Sequence, residues 1–345
     1  MINLQRKNNI SFGGISAWTN ITQFDGTSQQ YTHQSSFMRD FPVVDYATGY
    51  IKETFPKGSH IADYACSYGQ ETYTIAMLLD DANKNKKYEI TGIDISPIAI
   101  AAAKRGVFVV EPSANESVLF SKKQLHFQPS KHYFIDETGQ KIFYESKPNH
   151  PNYPKSQAGK IRDLFASWFI ELDADKKLKE EIIKGLFEYN KPLAGSKILL
   201  AIPEKSKGVL DFICGDIMKI GRTLVPKKTG AVFFQNAPYH ITGCMGSGSV
   251  KGDIPPLKRI FGQINDVISD KGIYVLGRLT RDHLLGFNEN RTHTVVQNNK
   301  KIKVFDSSPV HDALRAKNFE PIFYALDSAF GQVNLPAVWR KRLKK

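Results

Sequence analysis

A chain of 345 residues with 41% apolar side chains can fill one large core or two smaller ones, and its formal charge of +13 makes the surface basic. No apolar run reaches membrane-spanning length and the first residues lack the apolar core of a signal peptide, so membrane insertion is not expected and a cytoplasmic location is. Three cysteines, Cys66, Cys214 and Cys244, cannot all pair and lack metal-ligand spacing, which argues against a disulfide framework and a metal site. The basic residues are scattered except at Arg340-Lys341-Arg342-Leu343-Lys344-Lys345. This suits a solvated surface first, an anionic protein partner second and a nucleic acid third.

In chain order, apolar periodicity predicts a helix over 42–54 and a strand over 60–65. The strand breaks into Asp63-Tyr64-Ala65-Cys66-Ser67-Tyr68-Gly69, with small residues at every second place, and a helix follows over 70–83, opening on Gln70 and Glu71. Small side chains let a ligand approach the backbone, and a helix N-terminus offers N–H groups to polar ligand atoms. A second strand over 89–94 ends on Asp94, at about the spacing where such folds bind ribose hydroxyls. Ser96-Pro97 caps the next helix, 97–105, and Gly106 ends it.

After a long stretch come strands over 208–214, 230–235 and 272–277, a helix over 257–269, and a hairpin joining 293–297 to 301–305 across 298–300. Alternating strands and helices predict an α/β fold with a mostly parallel sheet, helices on both faces and an antiparallel C-terminal strand pair. Gly243–Ser249 is glycine-rich without the Lys-Ser/Thr of a phosphate loop, and Asp173-Ala174-Asp175 lacks the glycine and distal glutamate of a calcium loop.

The loop lacks the G-x-G-x-x-G of nicotinamide enzymes, and its order, acidic-x-small-x-small-x-Gly, is that of class I S-adenosylmethionine (SAM) methyltransferases. More closely, Ala65–Leu78 (ACSYGQETYTIAML) resembles the C-S-x-G-E-E-P-Y-S-I-A-M signature of the CheR family, which esterifies glutamates of bacterial chemoreceptors. His33–Asp40 (HQSSFMRD) is similar to that family's N-x-T-x-F-F-R, and Gly92–Phe108 to its D-I-D-x-x-x-L-x-x-A-x-x-G-x-Y. Phe212–Met218, Ala231–Tyr239 and Lys271–Gly277 continue the resemblance, six blocks in order over about 240 residues.

The resemblance implies a Rossmann-like class I methyltransferase fold, SAM as cofactor and a carboxylate acceptor on a protein or small molecule. It implies that Asp63, Ala65 and Gly69 surround the methionine part, that Glu71 meets its polar ends, and that Asp94, followed by Ile95, accepts from the ribose. Asp216 and Ile217 would flank adenine, while His33 and Ser35, in the family's Asn and Thr places, would cover the cofactor. Arg39 stands where the family has an arginine near the methyl group and the acceptor carboxylate, which a guanidinium can hold by two hydrogen bonds. Gln70 departs from the family's first glutamate.

Asn236 matches the strand-end asparagine of the family's R-N-V, but the family's tyrosine, four residues beyond it, is here His240. Asn236-Ala237-Pro238-Tyr239 instead resembles the Asn-Pro-Pro-Tyr of methyltransferases acting on amide or base nitrogens. Tyr239, with Arg39, is a candidate catalytic residue, and His240 is read first as a polar residue of the same loop and second as a base. An N-methyltransferase is therefore the first alternative, and a noncatalytic SAM-binding regulator the second.

The expected organisation is an N-terminal segment over the cofactor, 1–40; the first part of the α/β domain, 41–110; an insert, 111–207; its second part, 208–335; and a basic tail, 336–345. The insert holds an expected hairpin over 132–144 and an expected helical pair including 161–169 and Leu178, Ile182, Ile183, Leu186 and Phe187. Only about thirty residues precede His33, so the helical domain that the family carries there is expected to be absent.

Overall fold

The structure, a computed structural model, describes residues 18–22, 28–32, 41–80, 88–110, 118–120, 123–125, 133–135, 141–143, 168, 170–171, 198–201, 210–217, 225, 228–235, 238, 250–277, 292–327 and 333–343. In chain order these hold β1 (Trp18–Thr22), β2 (Ser28–Thr32), α1 (Phe41–Thr54), β3 (His60–Tyr64), α2 (Gln70–Leu79), β4 (Glu89–Asp94) and α3 (Pro97–Arg105). Short strands follow: β5 (Val107–Val110), β6 (Val118–Phe120), β7 (Lys123–Leu125), β8 (Tyr133–Ile135), β9 (Lys141–Phe143), β10 (Ile170–Glu171) and β11 (Ile198–Ala201). The rest are β12 (Leu210–Cys214), β13 (Thr229–Phe233), α4 (Val250–Val267), β14 (Ile268–Val275), β15 (His293–Gln297), β16 (Lys300–Val304), α5 (Pro309–Ala316), β17 (Phe319–Asp327) and β18 (Val333–Lys341). The chain divides into two compact units, one drawn from 1–39, 66–78 and 92–214, the other from 40–65, 79–91 and 215–345.

In the first unit, β12 lies beside the end of β4, and α2 and α3 pack with them. Tyr73 of α2 donates its hydroxyl to the Ala103 carbonyl of α3 at 2.8 Å, while its ring meets Phe212 of β12 with centroids 5.5 Å apart. Helix α3 has the boundaries its sequence predicts. The Ser96 hydroxyl accepts from the Ala99 N–H at 3.2 Å, Pro97 opens the helix, and Gly106 closes it at φ 62 with its N–H on the Ala102 and Ala103 carbonyls. Beyond it, β11 pairs with β5 and β10, all antiparallel, and β6–β7 and β8–β9 form two-stranded pairs. The β8–β9 pair occupies the hairpin expected over 132–144. The helical pair expected in the insert lies outside the described residues except for Trp168, which is buried.

In the second unit, β3, β13 and β14 run parallel, with Phe233 opposite both Asp63 and Val275. Every residue of β3 and β13 is buried, as a parallel strand covered on both faces requires. β18 adds to β14 antiparallel and also pairs with β17 antiparallel and β16 parallel. Helix α1 buries Val43, Val44, Ala47 and Ile51; α4 buries Leu257, Ile260, Phe261, Ile264 and Val267, the three-to-four spacing of one helix face.

The mostly parallel α/β architecture stands, with several corrected bounds. Helix α2 ends at Leu79 instead of residue 83, and α4 starts at Val250 and stops at Val267 because Ile268 already pairs with Thr229. The next partners are Ala231 and Ile273, so four residues bulge between them, with Lys271 at φ 62. The β15–β16 turn has two residues, not three, since Asn298 and Asn299 take φ 50 and 61.

The larger correction is at the C-terminus. The antiparallel pair beside the parallel strands is β17–β18, and residues 336–341, expected in a basic tail, belong to β18. Their charges have structural duties: Lys341 donates to the Asn265 and Ile268 carbonyls at 2.7 and 2.8 Å, at the end of α4, and Arg340 pairs with Glu320.

His311, the third residue of α5, is fully buried and completes a capping box in which the Ser308 N–H donates to its Nδ1. Burial, with the nearby Arg315 cation, drives its pKa from 6.5 down to about 3.

Two outcomes are expected. A Cβ on Gly92 would lie 2.7 Å from the Phe212 ring and 2.8 Å from Thr72 Oγ1. Gly92→Ala should therefore cost about 2 kcal/mol in urea unfolding. His311 binds its proton more readily unfolded than folded, so its contribution is full above pH 6.5 and lost as pH falls from there towards about 3. The loss should reach at most about 1.4 kcal/mol per pH unit, and His311→Gln should flatten that acid limb in thermal melts, whatever it does to the neutral Tm.

Candidate functional site

The turn from β3 into α2 carries the strongest backbone signal among the described residues. Ala65, Ser67 and Gly69 all take left-handed conformations, at φ 59, 53 and 87, two of them without being glycine. Such a turn needs external fixing, and the first unit provides it from β4. The Cys66 N–H donates to the Ile93 carbonyl at 3.1 Å, and the Ser67 N–H to Asp94 Oδ2 at 2.8 Å. The other carboxylate oxygen, Oδ1, accepts the Ser96 N–H at 2.9 Å.

Asp94 is thus a buried carboxylate with a backbone amide on each oxygen. Gly69 closes the turn by donating to the Cys66 carbonyl at 2.9 Å, and a Cβ there would crowd Ala103 and Phe212 at 3.0 and 3.1 Å. Its bareness serves the packing of the turn on α3 and β12.

Around this carboxylate the first unit gathers further groups. The Cys214 thiol, at the end of β12, donates to the Ile95 carbonyl at 3.5 Å, and burial and the Asp94 charge raise its pKa. Tyr68 is buried against Ala99 and Ala102, and burial first, then Asp94, raises its hydroxyl's pKa. Glu71 stands in the first turn of α2. Two buried polar atoms, Ser67 Oγ and Gln70 Oε1, have no hydrogen-bond partner, which is unusual for the interior of a folded chain.

Of the expected site residues, Gly69, Glu71, Asp94 and Ile95 come together in this unit. Asp63, buried at the end of β3, and Ala65 belong to the second unit, as do Asp216 and Ile217, both half-buried. His33, Ser35, Arg39, Asn236, Tyr239 and His240 lie outside the described residues. Ser67, Phe212 and Cys214 were not singled out as site residues; the small-residue alternation was the signal for Ser67, and the sequence held none for the other two.

The donor set fits SAM. An adenosine ribose presents two hydroxyl donors, which suit a carboxylate such as that of Asp94, and the amino-acid end presents charged groups of the kind that the buried Ser67 Oγ and Gln70 Oε1 could meet. Among the described residues no cluster of three or more His, Cys, Asp or Glu could hold a metal ion, and no helix is long and apolar enough to cross a membrane.

Residues 33–146 match the family model described as CheR methyltransferase, SAM binding domain. No curated protein matches the chain. Among solved structures, a SAM-dependent methyltransferase from Methanosarcina mazei is similar at 11% identity and a TM-score of 0.35, over 85% of this chain and 97% of that one. A TehB-like SAM-dependent methyltransferase from Corynebacterium glutamicum is similar at 10% identity and a TM-score of 0.34, over 86% and 87%. The 4+2 cyclase SpnF is similar at 14% identity and a TM-score of 0.32 over 83% of this chain, which spans only 61% of that protein. These structural likenesses are loose, and the assignment rests on the family model. The matched segment contains β3, the left-handed turn, α2, β4 and α3, and over these residues the chain is similar to the SAM-binding domain of CheR-type class I methyltransferases.

Proposed function

We propose that the chain transfers a methyl group from SAM to a carboxylate, on a protein glutamate or a small-molecule acid, by in-line displacement. The match of residues 33–146 to the CheR model carries this reading. Bound SAM supplies a methyl group on a sulfonium sulfur, and the electron pair of the breaking C–S bond stays on that sulfur. An acceptor carboxylate is already ionised near neutral pH, so no general base is required. The protein's work is to hold the acceptor oxygen close and in line, with water kept out.

Asp94 accepts the ribose hydroxyls, with Ile95 behind it. Asp63, Ala65 and Gly69 shape the turn around the methionine part, and Glu71 serves its polar end. Asp216 takes the exocyclic amine of adenine while Ile217 packs on the ring. From the N-terminal segment, His33 and Ser35 cover the cofactor and Arg39 holds the acceptor carboxylate through two parallel hydrogen bonds. Asn236 and Tyr239 complete the acceptor side. A reducing, cytoplasmic setting suits the thiols of Cys66 and Cys214.

One feature favours a nitrogen acceptor instead. The spacing Asn236-Ala237-Pro238-Tyr239 suits an amide or base nitrogen, whose amino protons the asparagine would accept while the tyrosine stacks on the planar group.

Two experiments bear on these readings. In calorimetric titration the full chain should bind SAM at one site, with Asp94→Ala weakening it tenfold or more, roughly the value of a charged hydrogen bond. Arg39→Ala should leave SAM affinity within about twofold while transfer falls, because a clamp on the acceptor acts after cofactor binding. Equal SAM affinity in wild type and Asp94→Ala would sink the cofactor map; thermal melts of both proteins would show whether the Ser67 and Ser96 amides tolerate its loss. Separately, acceptor labelled from methyl-tritiated SAM should release its label in mild alkali if the product is an ester, and a label that persists would select the nitrogen reading.

A further inference from the structure

We propose that the outer edge of β15 is a docking site for an extended, acidic segment of a partner protein, which pairs with it as a further strand. The site depends on neither the cofactor nor the methyl-transfer reading, and it lies outside residues 33–146, the segment that matches the family model. Among the described residues β15 is the last strand of its sheet, beside β16. The two pair in unbroken register, from His293 opposite Val304 to Gln297 opposite Lys300. Two bonds to β18 fix which backbone groups face outward. The Lys303 carbonyl accepts Asn334 Nδ2 at 3.1 Å, and the Phe305 N–H donates to the Asn334 carbonyl at 3.0 Å, so Lys303 and Phe305 turn their backbone towards β18. Thr294, opposite Lys303, therefore turns its own N–H and C=O away from β16, and so does Val296, two residues on. The side chains of the same two residues lie on the exposed face of the hairpin, beside Lys301 and Lys303, and Val296 is 69% exposed.

Edge strands of soluble proteins are commonly blunted by lysine, proline or a bulge. β15, His293-Thr294-Val295-Val296-Gln297, carries none of these, and the lysines stand one strand back, at Lys300, Lys301 and Lys303 of β16. There they leave the edge open and make its rim basic. From Thr292 to Val304 the chain holds no acidic residue, so charge complementarity selects an acidic segment. Lys301 and Lys303 lie two strand spacings, about 10 Å, from an added strand, a gap that a lysine and a glutamate side chain bridge together. The edge is also preformed. Asn298 and Asn299, both at positive φ, make the tight turn that sets the register, and Gln297 clips the hairpin to β17. Its Nε2 donates to the Tyr324 carbonyl at 2.9 Å, and its Oε1 accepts the Tyr324 N–H at 2.8 Å. A rigid edge loses little freedom when a strand is added.

The test titrates the full chain, by fluorescence polarisation, into a fluorescein-labelled peptide of alternating glutamate and valine, a matching peptide of alternating lysine and valine, and a single-stranded oligouridylate. The wild type should saturate the acidic peptide, and binding should weaken as salt is raised. Val296→Pro removes an outward N–H that no strand among the described residues uses, so its thermal melt should stay close to that of the wild type while peptide affinity falls roughly tenfold or more. The double variant Lys301→Glu, Lys303→Glu, changed only at exposed positions, should lose a similar factor. Failure of the acidic peptide to saturate the wild type at millimolar concentration would overturn the assignment, as would unchanged affinity in Val296→Pro or in the double variant. Tighter binding of the lysine peptide or the oligouridylate would overturn it too, the latter in favour of a nucleic acid. A wild type that self-associates in sedimentation and becomes monomeric as Val296→Pro would give the edge to a second copy of the chain, and the acidic partner would fall with it.

Discussion

Asp94 holds the Ser67 amide with one oxygen and the Ser96 amide with the other, and the first unit is organised around that fact. One amide belongs to the left-handed turn before α2, the other to the cap of α3. A single buried carboxylate therefore sets the entry of two helices and the end of one strand. Burying a carboxylate is costly unless hydrogen bonds to its charged form compensate, and two backbone donors do so.

Around that group the packing leaves little slack. Gly69 and Gly92 both face Phe212, and Tyr73 joins α2 to β12 through the same ring and to α3 through the Ala103 carbonyl. Interiors at this density transmit changes of a single methyl group. The left-handed residues Ala65 and Ser67 are strained in isolation and persist because the Ile93 carbonyl and the Asp94 carboxylate fix the Cys66 and Ser67 amides.

Local signals in the sequence were legible where local chemistry decides the structure. Ser96-Pro97 and Gly106 bound α3 as read, because capping depends on the few residues around each end. β3, β4 and β13 were recognised from apolar runs, with ends moved by a residue or two. β17 and β18 were not. Pro321 interrupts the first and lies at a register irregularity, where a missing N–H is tolerated, and the basic residues of β18 read as a solvated tail although Lys341 caps α4 and Arg340 pairs with Glu320. In the site, the acidic strand end and the small-residue turn were visible. The duties of Asp94 towards two amides, the contacts of Phe212 and the buried state of Gln70 were not, since each is a relation between residues distant in the chain.

β18 lies between β14 and β17 and also touches β16, so it pairs with three strands that all precede it. A ribosome makes those three first. Until residues 333–341 emerge, β14 presents an unpaired edge and the C-terminal end of α4 lacks the Lys341 ammonium. The second unit is consequently completed by its last-made strand, after the turn around Asp94 has long left the exit tunnel. A nascent chain stalled short of that strand would expose an adhesive sheet edge, the kind of surface that chaperones shield.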